Sequence, residues 1–391
     1  MFIQSDHLLK KLKFAAEGTM GKAAFPEFYK YVLVEYVPES HQIALRAFNG
    51  RAHFRAILGE PEQRTIVPDP KGDNFFVFDP TDWIKSYSKI KDQIFLHVDF
   101  EKKFIAARSR NATSKISGSP ATGFIDIPSD DGMAEPMDVP ENFAKAMRRV
   151  LWASDPKSMD PACTGIFIKS VDDGENQFIE MVCTNREVIA VSRDFDNIAS
   201  ITAQGIVQYE TARSIADLIE DTKECDLFMN EDRIIVISGD YTIVARHIDT
   251  QMLAYDKVIE HFRIEGLTET KLSRPHLVTG SEFASQFADE NFKQIFLRFG
   301  DKSVKIHGSQ KDKSKQGSYE IPYVGEGAEN ARLCITIGRL QSCVKSLECE
   351  EVKMIFDASN PRGLIIQPAK EDDLYTEVFT SLQIPQDELN A

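Results

Sequence analysis

The sequence is poor in cysteine and has no two cysteines in the spacing Cys-x-x-Cys. Six cysteines are spread through 391 residues, at Cys163, Cys183, Cys225, Cys334, Cys343 and Cys349. A disulfide framework or a zinc ribbon needs cysteines that are dense or closely paired, so this distribution argues against both. We expect reduced, partly buried thiols and no bound metal.

Long apolar segments are also missing. No run approaches the roughly 20 residues that a helix needs to cross a bilayer. The N-terminus reads MFIQSDHLLKK and has no hydrophobic stretch followed by a small-residue cleavage site. We therefore expect a cytoplasmic protein. With 42% hydrophobic and 27% charged residues, the chain has enough apolar material for packed globular cores.

Catalytic and cofactor-binding motifs are absent as well. The sequence contains no GxxxxGKS/T phosphate loop, no HExxH, no GxSxG and no GxGxxG after a strand. We predict a non-enzymatic protein with no catalytic residues and no cofactor. The weaker alternative is an enzyme on an unfamiliar α+β scaffold, which would need a convergent pocket of perturbed acids or bases.

What the sequence does contain is a threefold repeat of amphipathic helices, spaced by about 130 residues. The opening helices are predicted at residues 6–17, 140–154 and 281–290, and the middle helices begin near residues 82, 211 and 337. Between them lie runs rich in β-branched and aromatic residues, which predict strands, for example at 31–37, 42–48 and 52–58. Polar segments with prolines predict linkers at 128–140 and 263–275.

This order predicts an α+β chain with three tandem domains, at residues 1–130, 138–262 and 272–391. Each domain is expected to contain two helices and antiparallel sheets. Three units of about 130 residues also suit a chain that is too long for one hydrophobic core.

The polar faces of the predicted helices are basic, although the chain carries a formal net charge of −15. A step of 100° per residue places Leu8 and Leu12 inward on the first helix, Lys10 and Lys13 outward, and Lys11 at the flank. The same reasoning selects further cations on the other helices, namely Lys85, Lys89, Lys145, Arg148, Arg149, Arg213, Arg339 and Lys345.

Cations on equivalent helices of an acidic chain predict phosphate contact, and hence sequence-independent binding of double-stranded DNA. The alternative is that these side chains only solvate their helices. The lysine-rich segment at 310–317 is predicted to be a solvated hairpin tip rather than a nucleic-acid site.

Several segments resemble, in order, the bacterial β sliding clamp, the processivity subunit of the replicative DNA polymerase. They are HLLKKL at 7–12, RSRNATSKI at 108–116, CTNREVIAVSR at 183–193, HIDTQMLAYDKVI at 247–259, LQSCVKSLECEEVKMIFD at 340–357, SNPRGLIIQP at 359–368 and YTEVFTSLQI at 375–384. The resemblance covers nearly the whole chain. It implies a head-to-tail homodimer that closes into a ring, with helices lining a hole for duplex DNA. It also places Lys22 where the family has a basic residue against DNA.

The resemblance further implies that DNA polymerase, clamp loader and repair factors bind through a short hydrophobic peptide motif. The family's pocket for this motif lies between the second and third domains. The matching positions are Thr184, Arg186, Val188, Ile189, Leu253, Lys257, Val258, Pro361, Arg362, Leu364, Ser381, Leu382 and Gln383. The chain departs from the family where TDGHRLA becomes TNREVIA, where a proline becomes Leu253, and where the C-terminal proline and arginine become Ser381 and Gln383.

Two functions of different kinds follow. The first is a sliding clamp that encircles duplex DNA and tethers the replicative DNA polymerase, which confers processivity. The alternative is a clamp-derived monomeric protein that binds polymerase or repair peptides without encircling DNA. Neither function involves a membrane partner.

Overall fold

The computed structural model describes residues 1–20, 27–38, 40–58, 74–124, 137–172, 174, 177–194, 203–222, 224–263, 266–370 and 374–382. Within these ranges the chain forms seven α-helices and 24 strands, and the strands pair in the antiparallel sense. The α+β class with antiparallel sheets is therefore confirmed. None of the described helices is long and apolar enough to cross a membrane.

The helices follow the predicted order closely, with one addition. They are α1 (Ser5–Glu17), α2 (Thr81–Tyr87), α3 (Phe143–Leu151), α4 (Tyr209–Asp221), α5 (Tyr255–Phe262), α6 (Arg274–Ser285) and α7 (Ile337–Ser346). Helices α1 to α4 and α7 confirm predictions, with small shifts at their ends. Helix α5 was not predicted.

Helix α6 begins at Arg274 rather than at residue 281, so the predicted linker at 263–275 is wrong. That segment contains a strand and the first turn of the helix. Pro275 suits a first turn because the N–H that it lacks has no partner within the helix at that position. Gly280 weakens the helical pattern, but it lies close to the sheet: an added Cβ would be 2.7 Å from Ile306 Cδ1 and 2.8 Å from Tyr319 Cδ1, so a larger residue would have to displace these side chains.

The strands form three sheets. They are β1 (Phe2–Gln4), β2 (Val32–Val37), β3 (Gln42–Phe48), β4 (Ala52–Leu58), β5 (Phe75–Phe78), β6 (Gln93–Asp99), β7 (Phe104–Arg108), β8 (Thr113–Ser117), β9 (Met137–Asp138), β10 (Gly165–Asp172), β11 (Gln177–Thr184), β12 (Val188–Asp194), β13 (Gln204–Gln208), β14 (Asp226–Met229), β15 (Arg233–Ser238), β16 (Tyr241–Arg246), β17 (Thr268–Ser273), β18 (Gln294–Phe299), β19 (Ser303–Ser309), β20 (Gln316–Gly325), β21 (Arg332–Thr336), β22 (Glu351–Phe356), β23 (Gly363–Pro368) and β24 (Leu374–Ser381).

One compact unit consists of Met1–Val139 and Asp217–His247. It contains a sheet in the order β1-β6-β7-β8 and a sheet in the order β5-β2-β3-β4-β16-β15-β14-β9. The inner face of α1 is buried in its core, where Leu8 and Leu12 cluster with strand residues such as Val34, Leu45 and Phe76.

The second compact unit consists of Pro140–Ala216 and Ile248–Ala391. Its strands form one sheet in the order β13-β10-β11-β12-β24-β23-β22-β17-β20-β19-β18-β21. Tyr255 and Ile259 of α5 join a buried cluster on this sheet with Phe167, Val182 and Ile189.

The second predicted repeat is divided between the two units. Strands β10 to β13 belong to the second unit, whereas β14 to β16 belong to the first. The division arises because β16 pairs with β4 of the first repeat, and β12 pairs with β24 of the third. The three domains at 1–130, 138–262 and 272–391 stay a prediction.

Candidate functional site

The second unit contains a cleft with a volume of about 510 Å³. Helix α5, the turn between β22 and β23, and strand β24 supply most of its walls. The lining residues are Lys257, Val258, His261, Phe262, Leu267, Asp357, Asn360, Arg362 and Phe379. An apolar surface with a few polar and charged groups around it is the composition typical of a ligand site, and the volume falls in the usual range for one.

Helix α5 is fixed to the sheet at both ends. In its first turn, Tyr255 donates a hydrogen bond from its hydroxyl to Oε1 of Glu180 on β11. Just beyond its last residue, Arg263 donates from Nη2 to Oε1 of Glu377 on β24 at 2.7 Å. These contacts hold the helix that carries four of the lining side chains.

Glu180 stays ionised although it is buried. Its Oε1 lies 2.9 Å from Lys169 Nζ, and its Oε2 lies 2.6 Å from Arg193 Nε. Burial alone would raise the pKa of Glu180, but hydrogen bonds from Tyr255, Lys169 and Arg193 bring that pKa below its ordinary value. Burial and the hydrogen bond to Glu180 raise the pKa of Tyr255 well above its ordinary value, so the phenol keeps its proton and remains a donor.

Two aromatic rings form the apolar wall of the cleft. The ring centroids of Phe262 and Phe379 are 5.2 Å apart, in an edge-to-face arrangement. Gly363 on β23 allows both rings to approach the sheet, since an added Cβ would lie 2.7 Å from a ring carbon of each. Phe379 is also directly opposite Ile189 across the pair of β12 and β24.

The rim of the cleft is positively charged. Lys257 and Arg362 are exposed and form no ion pair with any residue that the structure describes. Asp357 stabilises the turn between β22 and β23. Its Oδ1 accepts hydrogen bonds from Ser359 Oγ at 2.6 Å, Ser359 N at 2.8 Å and Asn360 N at 3.1 Å. The Ser359 hydroxyl and these backbone N–H groups lower the pKa of Asp357.

Three of the predicted pocket residues line this cleft, namely Lys257, Val258 and Arg362. Leu253 lies just before α5 and is 36% exposed. The sequence analysis missed His261, Phe262, Leu267, Asp357, Asn360 and Phe379. Assigning α5 as a helix would have found two of them, since His261 and Phe262 follow Val258 by three and four positions and share its face.

Most of the other predicted pocket residues are buried behind the cleft or in the adjoining sheet. The buried ones are Thr184, Val188, Ile189, Pro361, Leu364 and Leu382. Leu382 N donates to Arg362 O at 2.9 Å, which fixes the backbone at the rim. The side chain of Ser381 and all of Gln383 lie outside the described residues.

The turn between β11 and β12 keeps a glycine-like conformation without glycine. Arg186 stands where the family has glycine, and its φ of 72° lies in the left-handed region that glycine adopts easily. Asn185 Oδ1 holds this turn by accepting from Glu187 N at 3.1 Å and Val188 N at 2.9 Å. Arg186 is itself held by Asp160, whose Oδ2 lies 2.7 Å from Nη2.

The predicted DNA-contacting lysines of α1 have different environments. Lys13 is exposed, and Lys10 is exposed with its Nζ 2.9 Å from Asp221 Oδ2. Lys11 is only 5% exposed, and its Nζ donates to Asp240 Oδ2 at 2.6 Å. The expectation of an ammonium available to phosphate is therefore wrong for Lys11, because the β15–β16 turn covers that flank of the helix.

Lys85 and Lys89 are both exposed in the first unit. Lys89 lies in the turn after α2, since that helix ends at Tyr87. Lys22 lies outside the described residues.

On α3 the prediction of an outward guanidinium is right for Arg148 and wrong for Arg149. Arg148 is exposed. Arg149 is 1% exposed, and its Nη1 donates to Oγ1 of Thr376 at 3.1 Å. Helix α3 packs against β12 and β24. The sheet therefore covers the flank of the helix that carries Arg149 as well as its apolar face.

Carboxylates neutralise several of the remaining predicted cations in the second unit. Lys145 Nζ lies 3.6 Å from Glu348 Oε2, and Lys345 Nζ lies 2.7 Å from Glu282 Oε1. Arg339 forms an ion pair with Glu187, in the turn between β11 and β12.

Arg213, the remaining predicted cation, is exposed on α4.

The repeated helices and the sheets that continue from one repeat into the next define a clamp fold. No protein-family model matches the chain, and no curated protein sequence matches it. Solved structures do match it. DNA polymerase III subunit beta from Pseudomonas aeruginosa has a TM-score of 0.81 at 16% identity, over 98% of this chain and 100% of that chain.

Two further structures give the same result. The DNA polymerase III beta subunit from Thermotoga maritima has a TM-score of 0.82 at 15% identity, covering 98% of this chain and 99% of that one. A DnaN sliding clamp from Bartonella birtlesii, solved bound to griselimycin, has a TM-score of 0.82 at 11% identity with the same coverage. The chain thus has the fold of the bacterial β sliding clamp, and the resemblance found in the sequence is confirmed at the level of the fold.

Proposed function

We propose that this chain is a sliding clamp, a non-catalytic protein that encircles duplex DNA and tethers a replicative DNA polymerase. The observation that carries the proposal is the match of 98% of the chain to β sliding clamp structures. The three clamp domains are proposed at 1–130, 138–262 and 272–391. Topological linkage confers processivity without tight contacts, because a tethered polymerase rebinds at high effective concentration.

A ring made from two copies needs two different surfaces that fit each other head to tail. One candidate surface is β8, which pairs only with β7 among the described strands. The other is β20, whose residues 316–322 pair with β19 and leave their second edge open within the described residues. Since open edges are templates for strand addition, we propose that β8 of one copy pairs with β20 of its partner.

An aromatic cluster next to β20 supports this interface. Phe283 on α6 is 39% exposed, and its ring centroid lies 5.2 Å from that of Phe287 and 6.2 Å from that of Tyr319. Tyr319 belongs to β20 itself. Covering these rings with a second copy would add apolar burial to the hydrogen bonds of the paired strands.

We propose that DNA contacts the exposed cations of the predicted set. These are Lys10, Lys13, Lys85, Lys89, Arg148 and Arg213. A phosphate must compete with a carboxylate for Lys10, Lys145, Arg339 and Lys345, so these four add less affinity. The expected binding is sequence-independent, modest and strongly salt-dependent.

The cleft beside α5 is proposed as the site where partner proteins insert a short hydrophobic segment. The proposed partners are DNA polymerase, clamp loader and repair factors. Its apolar wall of Phe262 and Phe379, with Val258 at its edge, supports a peptide ligand rather than a small polar one.

One observation favours the monomeric alternative. Ion pairs already engage much of the positive charge on the proposed DNA-facing helices, which would suit a protein that captures partner peptides without encircling DNA. Sedimentation at micromolar concentration separates the two functions, since the chain mass is 44.1 kDa and the ring would have about twice that mass.

The test of the main proposal is retention on DNA. Labelled protein is loaded onto nicked circular DNA with a bacterial clamp loader and ATP, isolated, and then exposed to a restriction enzyme that linearises the circle. A clamp that encircles DNA stays on the circle and is lost from the linear ends. Equal retention on both forms would reject encirclement.

A further inference from the structure

We propose that the outward face of the sheet β1-β6-β7-β8 binds single-stranded nucleic acid. Bases stack on Phe2 and Phe95 in this proposal, and Arg108 and Lys115 pair with phosphates. The face lies within the first unit and contains none of the cations proposed to contact duplex DNA and none of the residues of the cleft. It is therefore a separate site, which a ring and a monomer would both have.

The alternation of strands β6 and β7 separates a buried face from an outward face. Ile94 and Leu96 of β6, with Ile105 and Ala107 of β7, are buried in the same core as helix α1. Successive side chains of a strand point to opposite sides of the sheet. Phe95 therefore points away from this core, together with the residues two positions before and after it.

The strand register brings aromatic and basic side chains into neighbouring rows on the outward face. Residues directly opposite each other on antiparallel strands lie on the same face, with Cβ atoms about 5 Å apart. One row across the four strands consists of Phe2, Phe95, Arg108 and Thr113. The next row consists of His97, Ala106 and Lys115. The two cations are thus close neighbours of the aromatic pair.

Phe2 and Phe95 form an aromatic pair on the surface. Their ring centroids are 5.1 Å apart, at an interplanar angle of 61°. Phe2 is 51% exposed and Phe95 is 42% exposed, so both rings keep a large apolar surface in contact with water. Aromatic side chains stack on bases without regard to sequence, because every base has a π-face. Stacked bases would cover this apolar surface.

The cations beside the aromatic pair can reach phosphates. Arg108 is exposed and forms no ion pair with any residue that the structure describes. Lys115 is exposed, and its Nζ lies 4.0 Å from the centroid of the Phe104 ring. The nearest acidic residues along β6 lie at its two ends, since Asp92 precedes the strand and Asp99 is its last residue. The middle of the face is therefore positive in a chain of net charge −15, which complements a phosphate backbone.

This combination favours a single strand over a duplex and over a protein partner. In a duplex the bases already stack on one another, whereas unpaired bases are free to stack on exposed rings. In known RNA-binding modules, a four-stranded sheet with exposed aromatic residues holds two or three unpaired bases. An apolar protein surface would cover the rings but would desolvate Arg108 without supplying a counter-charge. Base faces and phosphates are common to DNA and RNA, so the experiment includes a strand of each.

The experiment measures binding of a fluorescent 12-nucleotide oligothymidylate to the full-length protein by anisotropy at low salt. In F2L/F95L the two side chains stay apolar but lose their π-faces. The affinity should fall about tenfold or more, because two stacking contacts are lost. F2Y/F95Y keeps the rings and should bind nearly as tightly as the unaltered protein.

The double variant R108Q/K115Q tests the phosphate contacts. Each phosphate contact on a single strand contributes about 0.7 to the slope of log affinity against log salt, so this variant should lower the slope by about 1.4. K85Q/K89Q is the matched control, because it removes the same charge from two exposed lysines of the first unit that lie outside the sheet. It should leave oligothymidylate binding nearly unchanged.

An oligouridylate of the same length identifies the source of the strand, since tighter binding of one of the two strands assigns the site to RNA or to DNA. Failure of both strands to bind would overturn the inference. Equal affinity of F2L/F95L and the unaltered protein would also overturn it and would leave the apolar pair to a protein partner. Loss of binding in K85Q/K89Q, with none in the sheet variants, would move the site to α2 and reject the proposal. None of these results bears on encirclement, which retention on circular DNA tests by itself.

Discussion

Tyr255 on helix α5 donates its phenolic hydrogen to Oε1 of Glu180 on strand β11, and this contact joins the cleft to the sheet beneath it. Helix α5 spans eight residues, from Tyr255 to Phe262. Helices shorter than about 12 residues are marginal in water on their own, so α5 depends on its contacts with the sheet. The buried ion network around Glu180 is therefore part of the support of the cleft, although none of its members was singled out from the sequence.

Replacing Tyr255 with phenylalanine is expected to loosen α5. The change removes the hydroxyl and leaves Glu180 with one hydrogen bond fewer in a buried position, which should lower the free energy of unfolding by about 1–3 kcal/mol. Peptide affinity should fall too, because Lys257 and Val258 are carried by the same helix. Urea unfolding and a peptide titration measure the two effects. Tyr209→Phe is the control, since the Tyr209 hydroxyl makes no hydrogen bond within the described residues.

Glu180 also predicts a pH dependence of stability. Its pKa is lower in the folded protein than in the unfolded chain, so the unfolded chain binds the proton more readily. The stabilisation is fully present above the ordinary glutamate pKa of about 4.3 and is lost as the pH falls through the lower folded value. Glu180→Gln should be less stable at neutral pH but lose less on acidification. Parallel slopes for the two proteins in urea unfolding between neutral and acidic pH would contradict this.

Gly363→Ala is expected to damage the cleft. The added methyl would lie 2.7 Å from a ring carbon of Phe262 and of Phe379, so at least one ring must move. Peptide affinity should drop at least severalfold and the melting temperature should fall. Gly338→Ala on α7 is the matched control, because an added Cβ there meets nothing within 4 Å. That control should leave peptide binding unchanged and stabilise the helix by about 0.5–1 kcal/mol.

Arg148 and Arg149 are predicted to respond in opposite ways to replacement by alanine. Removing the buried Arg149 strips Thr376 of a partner and opens a cavity on β24, with an expected loss of about 3 kcal/mol in the free energy of unfolding. Removing the exposed Arg148 should change stability by less than about 0.5 kcal/mol. If Arg148 contacts phosphate, its removal also lowers the salt slope of DNA binding by about 0.9. A slope that is unchanged in Arg148→Ala would remove this residue from the proposed DNA surface.

Much of the architecture could be predicted from the sequence because it depends on local pattern. The first helix was predicted at 6–17 and is found at Ser5–Glu17, and the strands predicted at 42–48 and 52–58 are found at Gln42–Phe48 and Ala52–Leu58. In each case the spacing of apolar residues within a single helix or strand is enough to predict that element. The start of helix α6 was predicted wrongly because proline and glycine usually indicate a break in a helix. Here Pro275 lies in the first turn, and Gly280 lies where the helix packs closely against the strands.

The candidate site depended on contacts between distant parts of the chain. A helical wheel marks the side that faces the core, but it does not show how much of each flank the neighbouring strands cover. The buried Lys11 donates a hydrogen bond to Asp240, which is 229 positions away, and the buried Arg149 donates one to Thr376, which is 227 positions away. The exposed cations at the rim of the cleft, Lys257 and Arg362, were identified through resemblance to the family rather than through pattern.

The sequence by itself determined the threefold order of helices and strands, the α+β class and the resemblance to the β sliding clamp, because hydrophobic period and segment order are properties of the chain alone. The tertiary structure decided which cations are exposed. It also decided that β4 pairs with β16 and β12 with β24, and that α5 stands over Phe379 to form the cleft. Strand pairing and side-chain burial depend on contacts between residues that are far apart in the sequence, and the local sequence pattern does not specify those contacts.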